Sequence, residues 1–157
     1  MPPCPFCHAL LRYRDKKRRV MKTEGGSKQW LLIRRFKCSS CNALHNEIPD
    51  CLVPYKHYRS DIISGVIDGV ITSDDLESED YPCMDTMMLW LRWFTQNLQR
   101  IEGLLRKAFY EVSGHAEDIL RSKTSLLESL RQAAPNWLEQ AVHTIYNSGG
   151  FLIPAGR

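Results

Sequence analysis

Cys4-Pro5-Phe6-Cys7 and, thirty residues further on, Cys38-Ser39-Ser40-Cys41 decide how the first third of this chain is read. Each pair is C-x2-C. Four thiolates in two close pairs can close a tetrahedron around one Zn²⁺, and four cysteine ligands leave no open position at which the metal could activate water. A free thiol is too basic to ionise fully at neutral pH, and a bound metal supplies the missing driving force. The residues that follow the pairs are His8 and Asn42, two of the few non-glycine types that tolerate a positive φ. Cys4, Cys7, Cys38 and Cys41 are therefore the expected metal ligands, at a structural site. His8 and His45 stand close enough in sequence to substitute. A redox CxxC or a disulfide pair is the competing reading. It is weaker because one redox pair would suffice and no βαβ pattern surrounds it.

The segment between the pairs reads as a β-hairpin. Leu11, Tyr13 and Val20 could share one side, Glu24-Gly25-Gly26-Ser27 is a turn signal, and Gln29 to Lys37 is rich in β-formers. A ribbon this small buries little core, so the metal would carry much of its folding free energy. The hairpin is also dense in cations. Arg12, Arg14, Lys16, Lys17, Arg18, Arg19, Lys28, Arg34, Arg35 and Lys37 are the expected nucleic-acid contacts, with Lys22 beside them and Tyr13, Trp30 and Phe36 among them. Such a hairpin can lie along a phosphate backbone while its aromatics pack or stack. Ribbons also present such faces to acidic protein partners, so an adaptor or inhibitor is the alternative.

The bulk numbers agree with a folded chain. It has 157 residues, 43% hydrophobic and 25% charged, which argues against disorder. The net charge of +3 is unevenly spread: residues 1–60 carry +9 and residues 61–157 carry −6. That asymmetry fits a basic module that meets a polyanion, attached to a mildly acidic body. No apolar run is long enough to span a bilayer, and Met-Pro-Pro-Cys is not a signal peptide. A cytoplasmic, reducing compartment is expected, with no membrane partner, where thiols and metal ligands outnumber disulfides. Cys51 and Cys83 read as buried apolar fillers.

Beyond the ribbon, residues 49–58 hold Pro49 and Pro54 and read as a connector. A helix is expected over about 59–70, with Ile62, Ile63, Val66, Ile67 and Val70 at helical spacing. An acidic loop from Thr72 to Asp80 follows. From about 83 to 110 the positions Met87, Leu91, Phe94, Leu98, Ile101, Leu105 and Ala108 step by four and three, an a/d-type seam that Trp90, Trp93 and Leu104 broaden. The seam would pack within the chain, with a coiled-coil dimer as the competing arrangement. A third helix is expected from Ala116 to Ala133 with Ile119, Leu126, Leu127 and Leu130 on one side. A fourth starts at Pro135 and stops at Asn147-Ser148-Gly149-Gly150. The apolar tail Phe151 to Pro154 would fold back.

The first two helices could form a helix-turn-helix. Yet the early positions of the second are Met84, Met87, Met88 and Leu89, with Arg92 the nearest cation, which is poor equipment for a DNA groove and better suited to a protein partner. Catalysis is not expected: the chain has no Gly-rich phosphate loop, G-x-S-x-G or H-E-x-x-H.

A resemblance accompanies these residues. Arg34 to Cys41, His45, Ile48-Pro49-Asp50 and Leu52 to Tyr58 look like the zinc-ribbon head of bacterial transposase-like proteins. The whole chain resembles short zinc-ribbon proteins of bacterial mobile elements. There, a Tyr-Pro followed by Trp with basic neighbours opens a helix-turn-helix-like helix; here the matching residues are Tyr81-Pro82, Trp90 and Arg92-Trp93, with Trp137-Leu138 and Asn147-Ser148-Gly149 later. The resemblance implies a zinc ribbon followed by a helix-turn-helix-like helix, in a family with no assigned activity. The expected fold is α+β: a four-cysteine ribbon over 1–48, a connector over 49–58, and a domain of about four helices over 59–157. The expected function is non-catalytic binding of duplex DNA in a mobile-element or regulatory setting.

Overall fold

The computed structural model describes residues 1–74, 82–114 and 117–155. The expected acidic positions 75–80, Tyr81 and the side chain of Ile119 lie outside them. The fold is α+β, in the expected order. Strands β1 (Leu11–Lys22), β2 (Lys28–Cys38) and β3 (Leu44–Asn46) form one antiparallel sheet in the order β1-β2-β3. Helices α1 (Ser60–Ile67), α2 (Met84–Val112), α3 (Glu117–Arg121), α4 (Leu126–Ala133) and α5 (Trp137–Asn147) follow.

The hairpin turns at Glu24–Gly26, where Gly25 and Gly26 take φ of 75° and 72°. Its register pairs Leu11 with Cys38 and Lys22 with Lys28, and slips by one residue between Tyr13 and Asp15. That bulge at Arg14 re-phases the strand. Leu11 and Tyr13 thereby share a face with Lys16, Arg18, Val20 and Lys22, and across the ladder with Trp30, Leu32, Arg34, Phe36 and Cys38. The opposite face carries Arg19, Met21, Ile33 and Arg35. Near the turn this second face packs on the connector. Met21 and Ile33 are buried, the Cys51 thiol meets the Met21 sulfur at 3.7 Å, and the Arg19 guanidinium donates to the carbonyls of Val53 (3.2 Å) and Lys56 (2.8 Å).

The helices enclose the main core. Ile62, Ile63 and Val66 of α1 meet Met87, Trp90, Trp93, Phe94, Ile101 and Leu105 of α2, and Trp137, Leu138, Ala141, Val142 and Ile145 of α5. The a/d seam expected along α2 is displaced. Leu91 and Leu98 are 36% and 39% exposed, while Trp90, Trp93 and Asn97 are buried. A straight helix turns every 3.6 residues and drifts by about 20° per heptad from a 3.5-residue seam. The two tryptophans, with the most surface to bury, fix which side faces inward. Asn97, 1% exposed, is fully satisfied: its amide donates to Ile153 O (2.9 Å) and Trp93 O (2.8 Å) and accepts from Ile153 N (2.9 Å). This amide pins the apolar tail, with Leu152 buried beside it.

Three further expectations are corrected. The single helix over 116–133 is broken, because Ser125 caps α4 by accepting from Glu128 N and Glu102 of α2 accepts from Ser125 Oγ, Leu126 N and Leu127 N. Burial alone would raise the Glu102 carboxyl, but these donors and Arg106 together hold it below its ordinary value. The last helix starts at Trp137 with Asn136 as its N-cap, so Pro135 precedes it. Cys83 is an exposed N-cap of α2 with its thiol 3.3 Å from Thr86 Oγ1, and Cys51 is half-buried.

The ribbon meets the helices at its cysteine end too. Gly149, at φ +79°, lies so close to the first knuckle that a Cβ there would come within 2.6 Å of the Pro5 carbonyl oxygen.

Candidate metal centre and basic hairpin face

The two C-x2-C pairs form matching knuckles. Cys4 N donates to Ala9 O at 2.8 Å, and Cys38 N donates to Ala43 O at 2.9 Å. His8 and Asn42 have φ of 61° and 60°, the geometry their residue types allow. The hairpin brings the knuckles together by pairing Leu11 with Cys38. All four sulfurs lie within 4.8 Å of one another and could hold a metal ion. Cys4 and Cys41 sulfurs are 3.8 Å apart and those of Cys7 and Cys38 are 3.4 Å apart. Disulfide sulfurs sit at about 2.05 Å. A tetrahedral ion with bonds of about 2.3 Å spaces its sulfurs at about 3.8 Å, so the cluster fits a metal and not a disulfide.

The electrostatics point the same way. The amides of Cys41 and Ser40 donate to Cys38 Sγ at 3.5 and 3.4 Å, and these donors, Cys41 first, pull the Cys38 thiol down to about 6. The Ala43 amide would also lower Cys41, but burial and the crowded sulfurs of Cys38, Cys7 and Cys4 outweigh it and push that thiol up to about 12. Four thiols this close do not all ionise unaided. A cation in their midst removes the obstacle. His45 is not part of the cluster. Its Nε2 lies 3.4 Å from Cys4 Sγ and its ring rests 5.2 Å from that of Phe6. Burial lowers its basicity, which disfavours the protonated ring. Sequence spacing offered His45 only as a substitute ligand; its contact with a sulfur follows from β3 pairing His45 with Phe36.

The chain matches a family described as "Domain of unknown function (DUF6431)" over residues 4–90, from the first cysteine to Trp90. It belongs to this family. No curated protein and no solved structure matches. The DUF6431 region therefore contains the thiol cluster, the whole sheet, the connector, α1 and the start of α2.

The ten hairpin cations fall into two groups. Arg34 forks onto Glu47 at 2.5 and 2.7 Å, Arg35 forks onto Asp15, and Arg19 holds the connector. The Arg35 hydrogen bond holds Asp15 below the usual carboxylate range. These three have intramolecular work. Arg12, Lys16, Lys17, Arg18, Lys28 and Lys37 are exposed, and Arg14 is exposed with a loose 3.7 Å approach to Asp15. Lys16, Arg18 and Lys28 share the outward face of the hairpin with three large exposed side chains: Tyr13 (54%), Trp30 (61%) and Leu32 (65%). The Arg18 guanidinium lies over Trp30, 4.9 Å from its ring centre.

α1 ends at Ile67 and α2 begins at Met84, a separation far longer than the three- or four-residue turn of a helix-turn-helix. Met84, Met88 and Leu89 are exposed, whereas Met87 is core.

Arg19→Ala should separate structure from binding. Loss of two charge-assisted hydrogen bonds should cost about 2 kcal/mol in urea unfolding. The outward hairpin face should be unchanged.

Proposed function

We propose that this chain is a non-catalytic zinc-ribbon protein that binds nucleic acid, with duplex DNA as its target. The observation that carries the reading is the outward hairpin face. Lys16, Arg18 and Lys28, without carboxylate partners among the described residues, surround exposed Tyr13, Trp30 and Leu32 on one side of the two-stranded ladder. Cations positioned without carboxylate partners suit phosphates, and exposed rings among them suit sugars and bases. Zn²⁺ at Cys4, Cys7, Cys38 and Cys41 is structural in this reading: it fixes the ladder and touches no substrate. The resemblance to zinc-ribbon proteins of mobile elements supports a mobile-element or regulatory setting.

If about four phosphates meet this face together with Lys22 at its end, the log–log salt slope on duplex DNA should be about −4. Reversing Lys16 and Arg18 to Glu should flatten the slope by about two and weaken binding to all sequences alike. Absence of duplex binding at low salt, with capture of an acidic protein that the same reversals abolish, would establish the adaptor reading instead.

A further inference from the structure

At the turn end of the hairpin, a cleft of about 340 Å³ lies between β1, the connector, α2 and the C-terminal tail. Its floor is aromatic. Tyr58 and Trp90 meet edge to face at 5.1 Å, and Trp93 lies beside them. Two ammonium groups stand over these rings: Lys22 Nζ is 5.1 Å from the centre of Tyr58 and Lys56 Nζ is 4.2 Å from the centre of Trp93. His57 joins the lining, and no Asp or Glu among the described residues does. The tail supplies Leu152, Pro154 and Ala155 as an apolar side.

Lys56 is the unusual member. It is largely withdrawn from water and has no carboxylate partner among the described residues, so burial lowers its ammonium to about 8. A half-buried lysine with only a ring face for company is an incomplete ion pair. An anion entering the cleft would complete it. The aromatic floor calls for a flat, apolar body attached to that anion. The volume is at the small end of ligand pockets and suits a single such unit.

The position of the cleft narrows the ligand class. Lys22 belongs to the same hairpin face as Lys16, Arg18 and Trp30, and its backbone pairs with Tyr58. The basic face therefore runs directly into the cleft. We propose that this cleft binds one nucleoside monophosphate unit, with its phosphate between the Lys22 and Lys56 ammonium groups and its base against the Tyr58/Trp90/Trp93 wall. The inference deepens the nucleic-acid reading, from which it borrows the continuity of the face. The unit is either a free nucleotide or the 5′-phosphorylated end of a strand.

The test titrates the zinc-loaded chain with AMP, dAMP, inorganic phosphate, phosphotyrosine and a 5′-phosphorylated DNA hexamer, read by tryptophan fluorescence and calorimetry. AMP or dAMP should bind at least tenfold more tightly than phosphate or phosphotyrosine. K56M and, separately, K22Q should each weaken that binding about tenfold, while K56R retains it. Tighter binding of the phosphorylated hexamer than of dAMP identifies a strand end; binding of dAMP as tight as the hexamer or tighter identifies a free nucleotide. Either outcome supports the cleft. Duplex binding should respond to K16E/R18E but not to K56M. If duplex binding fails while dAMP binding stands and depends on Lys56, the cleft stands and the hairpin reading falls. No nucleotide binding by the wild type, equal affinity for phosphate, or nucleotide binding unchanged in folded K56M and K22Q would each overturn the proposal.

Discussion

Cys38→Ser should leave the sheet unfolded while the helical core persists. The ribbon's own core cluster consists of Cys4, Leu11, Phe36 and Cys38, so two of its four residues are candidate metal ligands. Burying Leu11 and Phe36 contributes about 1.5–3 kcal/mol each. Two buried side chains cannot offset the conformational entropy of ordering the segment from Cys4 to Asn46, and a structural zinc site is worth far more than they are, roughly 10–16 kcal/mol in zinc-finger peptides. Elemental analysis should find about one zinc per chain. Chelation or Cys38→Ser should abolish hydrogen-exchange protection across β1 and β2 and spare α2 and α5. Strand amides that stay protected in verified metal-free protein would show that the ladder stands without metal.

Trp137→Ala is the largest expected effect in the helical core. Trp137 is 2% exposed, packs against Phe94 at 5.6 Å, and lies under the Arg131 guanidinium at 5.1 Å. Its indole N–H donates to Asp68 at 2.8 Å, and Arg131 bonds the other oxygen of the same carboxylate. One side chain therefore joins α1, α2, α4 and α5. Truncation of a buried tryptophan costs about 3–5 kcal/mol. Trp137→Phe should lose less, about 1–2 kcal/mol, since Arg131 still pairs with Asp68. Leu98→Ala, at the displaced seam position, should cost under about 1 kcal/mol. Urea unfolding of the three variants checks the order; a large loss at Leu98 would restore the heptad seam.

What could be read in the chain before its structure is divided by range. The knuckles are local: their spacing, and the residue types at His8 and Asn42, are written in ten residues. The hairpin and the existence of α2 follow from composition and period. The bulge at Arg14 is not visible in sequence, because nothing in Tyr-Arg-Asp announces a slip, and so the partners Asp15–Arg35 were not either. Leu91 and Leu98 were misplaced because apolar spacing alone cannot tell a 3.5 from a 3.6 repeat in one helix when tryptophans elsewhere compete for the interior. Asn97 gave no sign of its buried role, because two of its three hydrogen bonds go to Ile153, 56 residues away. The break before α4 was present as Ser125-Leu-Leu-Glu128, a capping signature obscured by the apolar residues inside it. Lys56 carried no local signal at all: four elements distant in sequence make its cleft.

The contact of Gly149 with Pro5 has a consequence for metal affinity. Gly149, just past the C-terminal end of α5, rests against Pro5 and Phe6 of the first knuckle. A methyl group added at position 149 would strain its own backbone whether or not metal is bound, and that part cancels. The collision with the Pro5 carbonyl arises only when the knuckle holds its closed shape. By linkage, whatever free energy that collision takes from the closed form reappears, factor for factor, as weaker zinc binding. The turn just past α5 is thus a remote determinant of how tightly the N-terminal cysteines would hold a metal ion. Gly149→Ala should raise the zinc dissociation constant without altering a ligand.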